Sequence, residues 1–131
     1  MFEKMEIFRM AQGLATHAAA RQSAIAQNVA NADTPGYRAR DIAPFSEAFA
    51  SGRQDNVPLR TTRPGHVFPG ETTRATWQAV EVDRPGAESP NGNNVSLETE
   101  MMMAAEVQQE HELALTVYRS ALSILRTSLG N

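Results

Sequence analysis

The chain has 131 residues, 41% of them hydrophobic and 6% aromatic, with twelve basic against fifteen acidic side chains and a formal net charge of -3. This length makes one domain with a modest core, and the charge excludes a nucleic-acid binder that relies on a broad basic face. Cysteine is absent, which removes disulfides, thiolate nucleophiles and cysteine-ligated metals.

Charge and chain-breaking residues divide the sequence into three. Residues 1–32 carry three basic and two acidic side chains, residues 33–94 seven and eight, and residues 95–131 two and five. All seven prolines lie between Pro35 and Pro90, and six of the eight glycines between Gly36 and Gly92. Proline lacks the N–H and clashes with the preceding turn, and glycine loses the most backbone entropy, so long helices fit only the two flanks. The predicted fold class is therefore mainly α, with N-terminal (1–32) and C-terminal (95–131) helices packed as a discontinuous coiled coil. Between them, residues 33–94 form a turn motif and an extended, partly β or irregular middle.

In the first helix Ile7, Ala11, Leu14, Ala18, Arg21, Ile25, Asn28 and Ala32 follow at alternating spacings of four and three, a coiled-coil seam of mostly small residues. Charges at Glu3, Lys4, Glu6 and Arg9 interrupt any apolar run, so no cleavable secretory signal is expected, and no window reaches the roughly 18 apolar residues of a membrane span. The helix stops in "NVANADTPGYRARD". Asn31 suits a left-handed C-terminal position, and Thr34-Pro35-Gly36-Tyr37 places Pro and Gly where a type II turn wants them.

The middle offers a short helical turn, "PFSEAFASG", ended by Gly52, and two short strands. These are "VPLRTTRP" and "ATWQAVEV", the latter with Trp77, Ala79 or Val80, and Val82 as anchors. An irregular segment of this length signals either a functional surface or order that waits for a partner.

Asn94 or Ser96 caps the second helix, with Glu98 and Glu100 at the positive end of its dipole. Its seam is Leu97, Met101, Ala104, Gln108, His111, Leu115, Tyr118, Leu122, Leu125 and Leu129, in which Gln108 and His111 make a polar layer that fixes register. A returning chain runs antiparallel to the first helix, which places Asn28 near Gln108 and the C-terminal leucines beside Ile7.

Chemistry is sparse. His17, His66 and His111 have no second ligand at a metal spacing, Glu106, Glu110 and Glu112 read as a solvated face, and no nucleophile elbow or phosphate-cradling loop is present. No enzyme, cofactor or metal site is expected. Met101, Met102 and Met103 suit either core or an adaptable contact surface.

The pattern Asn28-x-Ala30-Asn31-x-x-Thr34-x-Gly36-Tyr37 resembles the N-terminal signature of flagellar basal-body rod proteins and related axial subunits. Thr34-Pro35-Gly36-Tyr37 followed by Arg40-Asp41 most resembles the B type of proximal rod subunit, "GNNVSLETEM" is similar to the opening of its C-terminal helix, and Thr62-x-x-x-His66 to a weaker feature of its middle. The resemblance covers both ends well and residues 74–90 not at all. It implies a structural subunit that polymerises helically into the proximal, torque-transmitting rod in the periplasmic space. The partners it implies are copies of itself, other rod proteins and basal-body components at the rod base, reached through the flagellar type III export apparatus without signal cleavage. On this reading the motif, with Pro35, Tyr37, Arg38, Arg40 and Asp41, is a joint where one subunit meets the next. The rival from the residues alone is a cytoplasmic helical-hairpin adaptor or export chaperone, which needs the two seams but not the Asn-rich turn.

Overall fold

The computed structural model describes residues 2–47, 49 and 77–130; the expected strand at 57–64, the Gly52 stop and the Thr62/His66 feature lie outside them. The first helix, α1, spans Phe2–Ala30. Beyond it the chain enters a two-residue strand, β1 (Arg40–Asp41), which pairs antiparallel with β2 (Val80–Glu81) in the register Arg40 to Glu81 and Asp41 to Val80. The second long helix, α2, spans Leu97–Ser128.

Ser96 caps α2: its backbone is extended and its side chain accepts from the Thr99 N–H. Asn94, the other candidate, is committed elsewhere, as described below. At the far end the Leu129 N–H bonds to the Leu125 carbonyl and Gly130 takes φ +82°, the left-handed exit that glycine adopts without a Cβ clash.

The helices are antiparallel, as expected. Phe8 meets Tyr118 edge-to-face at 5.3 Å between ring centroids, Arg21 lies 3.8 Å from Glu110, and Asn28 bonds to Glu100 at 3.2 Å. On α1 the predicted seam is the one that packs: Ala11, Ala18, Ile25 and Asn28 are buried and Leu14 and Arg21 half-buried, although Ile7 stays 43% exposed.

On α2 the packed face differs from the predicted one. Its buried residues are Glu100, Val107, Ala114 and Ala121, spaced by seven. The expected seam lies one residue further along at each step, about 100° around the axis. Leu97, Met101, Gln108, His111, Leu115, Tyr118, Leu122 and Leu129 are all exposed, and only Ala104 and Leu125 are half-buried. Alanines on both inner faces let the backbones approach closely, and the larger side chains are turned out of that narrow space. The polar layer of the seam is accordingly Arg21 with Glu110, and Asn28 with Glu100, rather than Gln108 and His111.

Another flank of α1 carries the ends of the middle segment. His17, fully buried, donates from Nε2 to the Ala43 carbonyl at 2.7 Å, and its ring meets Phe45 and Trp77 edge-on at 5.7 and 4.9 Å. Residues 45–47 are helical, with the Glu47 N–H bonded to the Pro44 carbonyl. A Cβ at Gly13 would come within 3.3 Å of the Phe45 ring, so glycine is what lets that ring sit on α1. In the return segment Trp77, Ala79 and Val82 are half-buried and Val80 is 58% exposed, which settles the alternation in favour of Ala79.

Candidate functional site

Four segments that are remote in sequence meet where α1 stops and α2 starts. The stop itself is local: the Asn31 N–H is shared between the Gln27 and Asn28 carbonyls, and the Tyr37 N–H closes a turn onto the Thr34 carbonyl at 3.2 Å with Gly36 at φ +73°. This is the positive φ that the third residue of a type II turn requires. Asn31 does not adopt the left-handed conformation expected of it; no described non-glycine residue has positive φ. The Asn31 side chain bonds back to the Gln27 carbonyl instead and accepts from Thr34 Oγ1.

Asn28 is the hub. Its Oδ1 accepts from the Arg40 N–H at 2.9 Å and the Tyr37 hydroxyl at 3.1 Å, and its Nδ2 donates to the Arg40 carbonyl at 2.8 Å and Glu100 Oε2 at 3.2 Å. All four of its hydrogen-bonding positions are used, and none of the residue is exposed. One amide thereby joins the last turn of α1, the strand β1 and the first turn of α2.

Glu100 is equally buried, and its other oxygen accepts from Arg84 Nη1, while Arg84 Nη2 lies 3.3 Å from Met103 Sδ. A carboxylate in the first turn suits the helix dipole, but the Arg84 guanidinium and the Asn28 amide are what permit its complete burial. Arg84 had no signal in the sequence, because a lone arginine before Pro85 looks like any loop charge.

The stretch "NGNNV" completes the joint. Asn93 Nδ2 lies 2.9 Å from each of the Asn31, Ala32 and Thr34 carbonyls, and so gathers the acceptors of the turn that follows α1. Its Oδ1 accepts from the Val95 N–H. Asn94 Oδ1 accepts from the Ala39 N–H at 2.6 Å and its Nδ2 donates to the Val82 carbonyl, which bridges the two strand segments. The Gly36 N–H reaches the Asn91 carbonyl at 2.9 Å, and a Cβ on Gly92 would stand 3.5 Å from Gly36 Cα, so the two glycine turns touch backbone to backbone.

Of the other motif residues, Asp41 holds Arg21 at 3.1 Å and accepts from the Ile42 N–H. Arg38 pairs with Glu88 at 3.1 Å within the chain. The Tyr37 hydroxyl turns into the joint rather than outward, while Ala30, Thr34, Pro35, Gly36 and Arg40 are exposed. The structure therefore unites Asn28, Asn31, Thr34, Gly36 and Tyr37 in one network, sets Asp41 in a separate pair with Arg21, and leaves the tip of the turn open. Among the described residues no three His, Asp or Glu side chains are grouped to hold a metal ion, and no helix is long and apolar enough to cross a membrane. What the arrangement can do chemically is bind backbone to backbone.

Gly36→Val tests the turn. Its Cβ would meet nothing within 4 Å, so the expected loss is backbone strain alone, about 1–2 kcal/mol, read as a drop of a few degrees in thermal midpoint.

Comparison with known proteins gives this arrangement a context. The family model described as "Flagella basal body rod protein" matches residues 8–38. The flagellar basal body rod protein FlgB of Agrobacterium fabrum is 31% identical over 121 residues, covering 90% of this chain and 88% of that one. FlgB of Salmonella typhimurium is 35% identical over 109 residues (79% and 78%), and FlgB of Aquifex aeolicus 30% over 105 residues (80% and 77%).

Proposed function

This chain belongs to the flagellar basal body rod protein family, as a structural subunit of the rod, and we propose that it polymerises helically to build the proximal part of the drive shaft. Its role is mechanical and non-enzymatic. Residues 1–32 and 95–131 form the coiled-coil core of the subunit, and residues 33–94 form the turn and the extended segment that meets neighbours. Its partners are further copies of itself, other rod proteins and the basal-body components at the rod base. It reaches the periplasmic space through the flagellar type III export apparatus.

One observation carries this reading: the joint consumes the polar groups of both family-like stretches, while most of the large apolar side chains of α2 stay exposed. Six of the nine buried apolar residues among those described are alanines, Ala11, Ala18, Ala24, Ala39, Ala114 and Ala121. Each hides one methyl group, so the subunit's own core supplies little of the burial that stabilises a domain. Met101, Leu113, Ile124 and Leu129, each more than half exposed, are surface that a polymer would bury. Order in the subunit is thereby completed by assembly, and torque passes through many shared contacts. The exposed tip of the turn, Pro35 and Gly36, and the exposed Arg40 of β1 are contacts to the next subunit.

Labelling of isolated basal bodies with an antibody to the chain is expected to mark the cell-proximal shaft. Recovery of the chain only from the cytoplasm, bound to export substrates, would transfer it to the adaptor class. Hydrogen exchange on the purified subunit is expected to show protected helices with weak protection elsewhere, and a uniformly protected monomer would contradict ordering on assembly.

A further inference from the structure

Asn91 is the one asparagine of the sequence followed by glycine, and that pair carries chemistry of its own. Glycine has no Cβ to shield its nitrogen, which can therefore reach the side-chain amide carbon of the residue before it. In a free chain the Gly92 nitrogen gives up its proton and attacks Asn91 Cγ. The N–Cγ bond forms, the Cγ–Nδ2 bond breaks, and the amide leaves with that proton as ammonia, which closes a cyclic imide. Water then opens the ring. Cleavage between N and Cγ leaves aspartate at position 91, whereas cleavage between N and the Asn91 carbonyl carbon leaves isoaspartate, with the main chain running through Cβ and Cγ. The sum is amide plus water to carboxylate plus ammonium, and it needs neither oxidant nor cofactor.

In the folded chain the same pair is held out of reaction. The Gly92 N–H bonds to the Ser89 carbonyl at 2.9 Å across Pro90 and Asn91, and Asn91 has negative φ, so the turn is of type I with Asn91 as its third residue. There ψ is about 0°, which sets the Gly92 nitrogen against the nitrogen of Asn91 itself, about a third of a turn around the Cα–C bond from Cβ. The side chain is engaged as well, because Asn91 Oδ1 accepts from the Asn93 N–H at 3.1 Å. The joint pins this turn from both sides: the Asn91 carbonyl accepts from the Gly36 N–H, the Ser89 N–H bonds to the Asn93 carbonyl at 2.7 Å, and Asn93 Nδ2 grips the turn after α1. Asn91 is itself exposed, so geometry rather than exclusion of water is what stops the reaction.

We propose that Asn91–Gly92 is a deamidation site which the joint keeps shut, so that chains with an open joint lose the amide and closed ones retain it. The two products differ in consequence. Aspartate keeps an acceptor for the Asn93 N–H and an unaltered main chain, so the joint closes on it. Isoaspartate adds a methylene to the main chain and turns the Asn91 carbonyl into a free carboxylate, so the bond from Gly36 and the contacts of Asn93 no longer fit together. A chain modified in that way stays open, and closure of the joint thereby sorts intact chains from aged ones.

The test follows the purified full-length chain over days in mildly alkaline buffer, with and without urea. Mass spectrometry of the peptide holding residue 91 reads the loss of the amide, and methyl transfer by an isoaspartyl methyltransferase counts isoaspartate. Loss at Asn91 is expected to be at least about tenfold slower in the native chain than in urea, since only the locally opened fraction reacts. Asn93→Ala strips the anchor of the turn without altering the reacting pair, and its rate is expected to fall between the two. Equal rates with and without urea, no loss in urea, or an Asn93→Ala rate as slow as the parent's would overturn the proposal. Asn91→Asp is expected to melt with the parent, and the separated isoaspartate chain several degrees below it. An isoaspartate chain as stable as the parent, or an Asn91→Asp chain as unstable as the isoaspartate one, would overturn the sorting.

Discussion

Glu100→Ala is expected to leave the subunit only marginally folded at ordinary temperature. The substitution removes the acceptor of the Arg84 guanidinium, which is only 14% exposed, and one acceptor of the Asn28 amide. Breaking a buried pair by deleting one partner costs about 3–5 kcal/mol, because the remaining charge keeps its desolvation penalty. Typical domains hold about 5–15 kcal/mol in total, and an alanine-dominated core puts this one towards the low end. The helical circular-dichroism signal should therefore melt at a much lower temperature than that of the parent. The paired variant Arg84→Met/Glu100→Leu removes both charges and is expected to recover most of the loss, since apolar replacements of similar size are often neutral. If Glu100→Ala melted within a degree or two of the parent, the pair would be ornamental. If the paired variant were as damaged as the single one, shape and not charge would be what the site requires.

The same carboxylate shows why one half of the hairpin could be read from the sequence and the other half only in part. On α1 the seam of Ala11, Leu14, Ala18, Arg21, Ile25 and Asn28 has no bulkier heptad stripe beside it, so spacing identified the packed face. On α2 two heptad patterns overlap, offset by one residue. Hydropathy selects the one with Leu, Met and Tyr, because a seam containing Glu100 and Glu110 looks like a solvated edge. Those carboxylates enter the seam only because Arg84 and Arg21 are delivered to it, Arg84 by the return segment. A one-dimensional pattern has no access to that partner. Asn28 was expected opposite Gln108 and meets Glu100, because "NGNNV" anchors α2 directly against the end of α1 and brings its first turn into line with residue 28.

The joint followed a similar division. Pro35 and Gly36 state their turn through backbone chemistry alone, and Ser96 its cap. Asn93 and Asn94 carry the same local preferences, yet their amides are spent on carbonyls and an N–H that lie 55 to 62 residues away and 12 residues away. The resemblance to rod proteins identified both stretches as belonging together without giving the reason. In the structure they are the two sides of one hydrogen-bonded contact.

Whether that contact couples the ends of the chain or merely decorates a helix stop is decided at Asn28. Asn28→Ala leaves the Arg40 N–H and carbonyl, the Tyr37 hydroxyl and one oxygen of Glu100 without their partner. Each buried polar group stranded in this way costs about 1–3 kcal/mol, and partial access of water to Tyr37 and Arg40 brings the expected total to about 2–4 kcal/mol. Tyr37→Phe removes a single bond and keeps Asn28 Oδ1 paired with the Arg40 N–H, so it should cost about 1 kcal/mol. Asn28→Asp is expected to be the worst of the three near neutral pH: it keeps the acceptor but presents a second carboxylate to Glu100 in place of the donating amide. Denaturation midpoints therefore order the variants as parent, Tyr37→Phe, Asn28→Ala and Asn28→Asp, with incorporation into rods falling in the same sequence. A helix stop held by local turn chemistry predicts something else, since Asn28 is not part of the Thr34–Tyr37 turn: all three variants would then sit close to the parent. The ranking separates the two accounts because only a joint makes residue 28 answerable to residue 100.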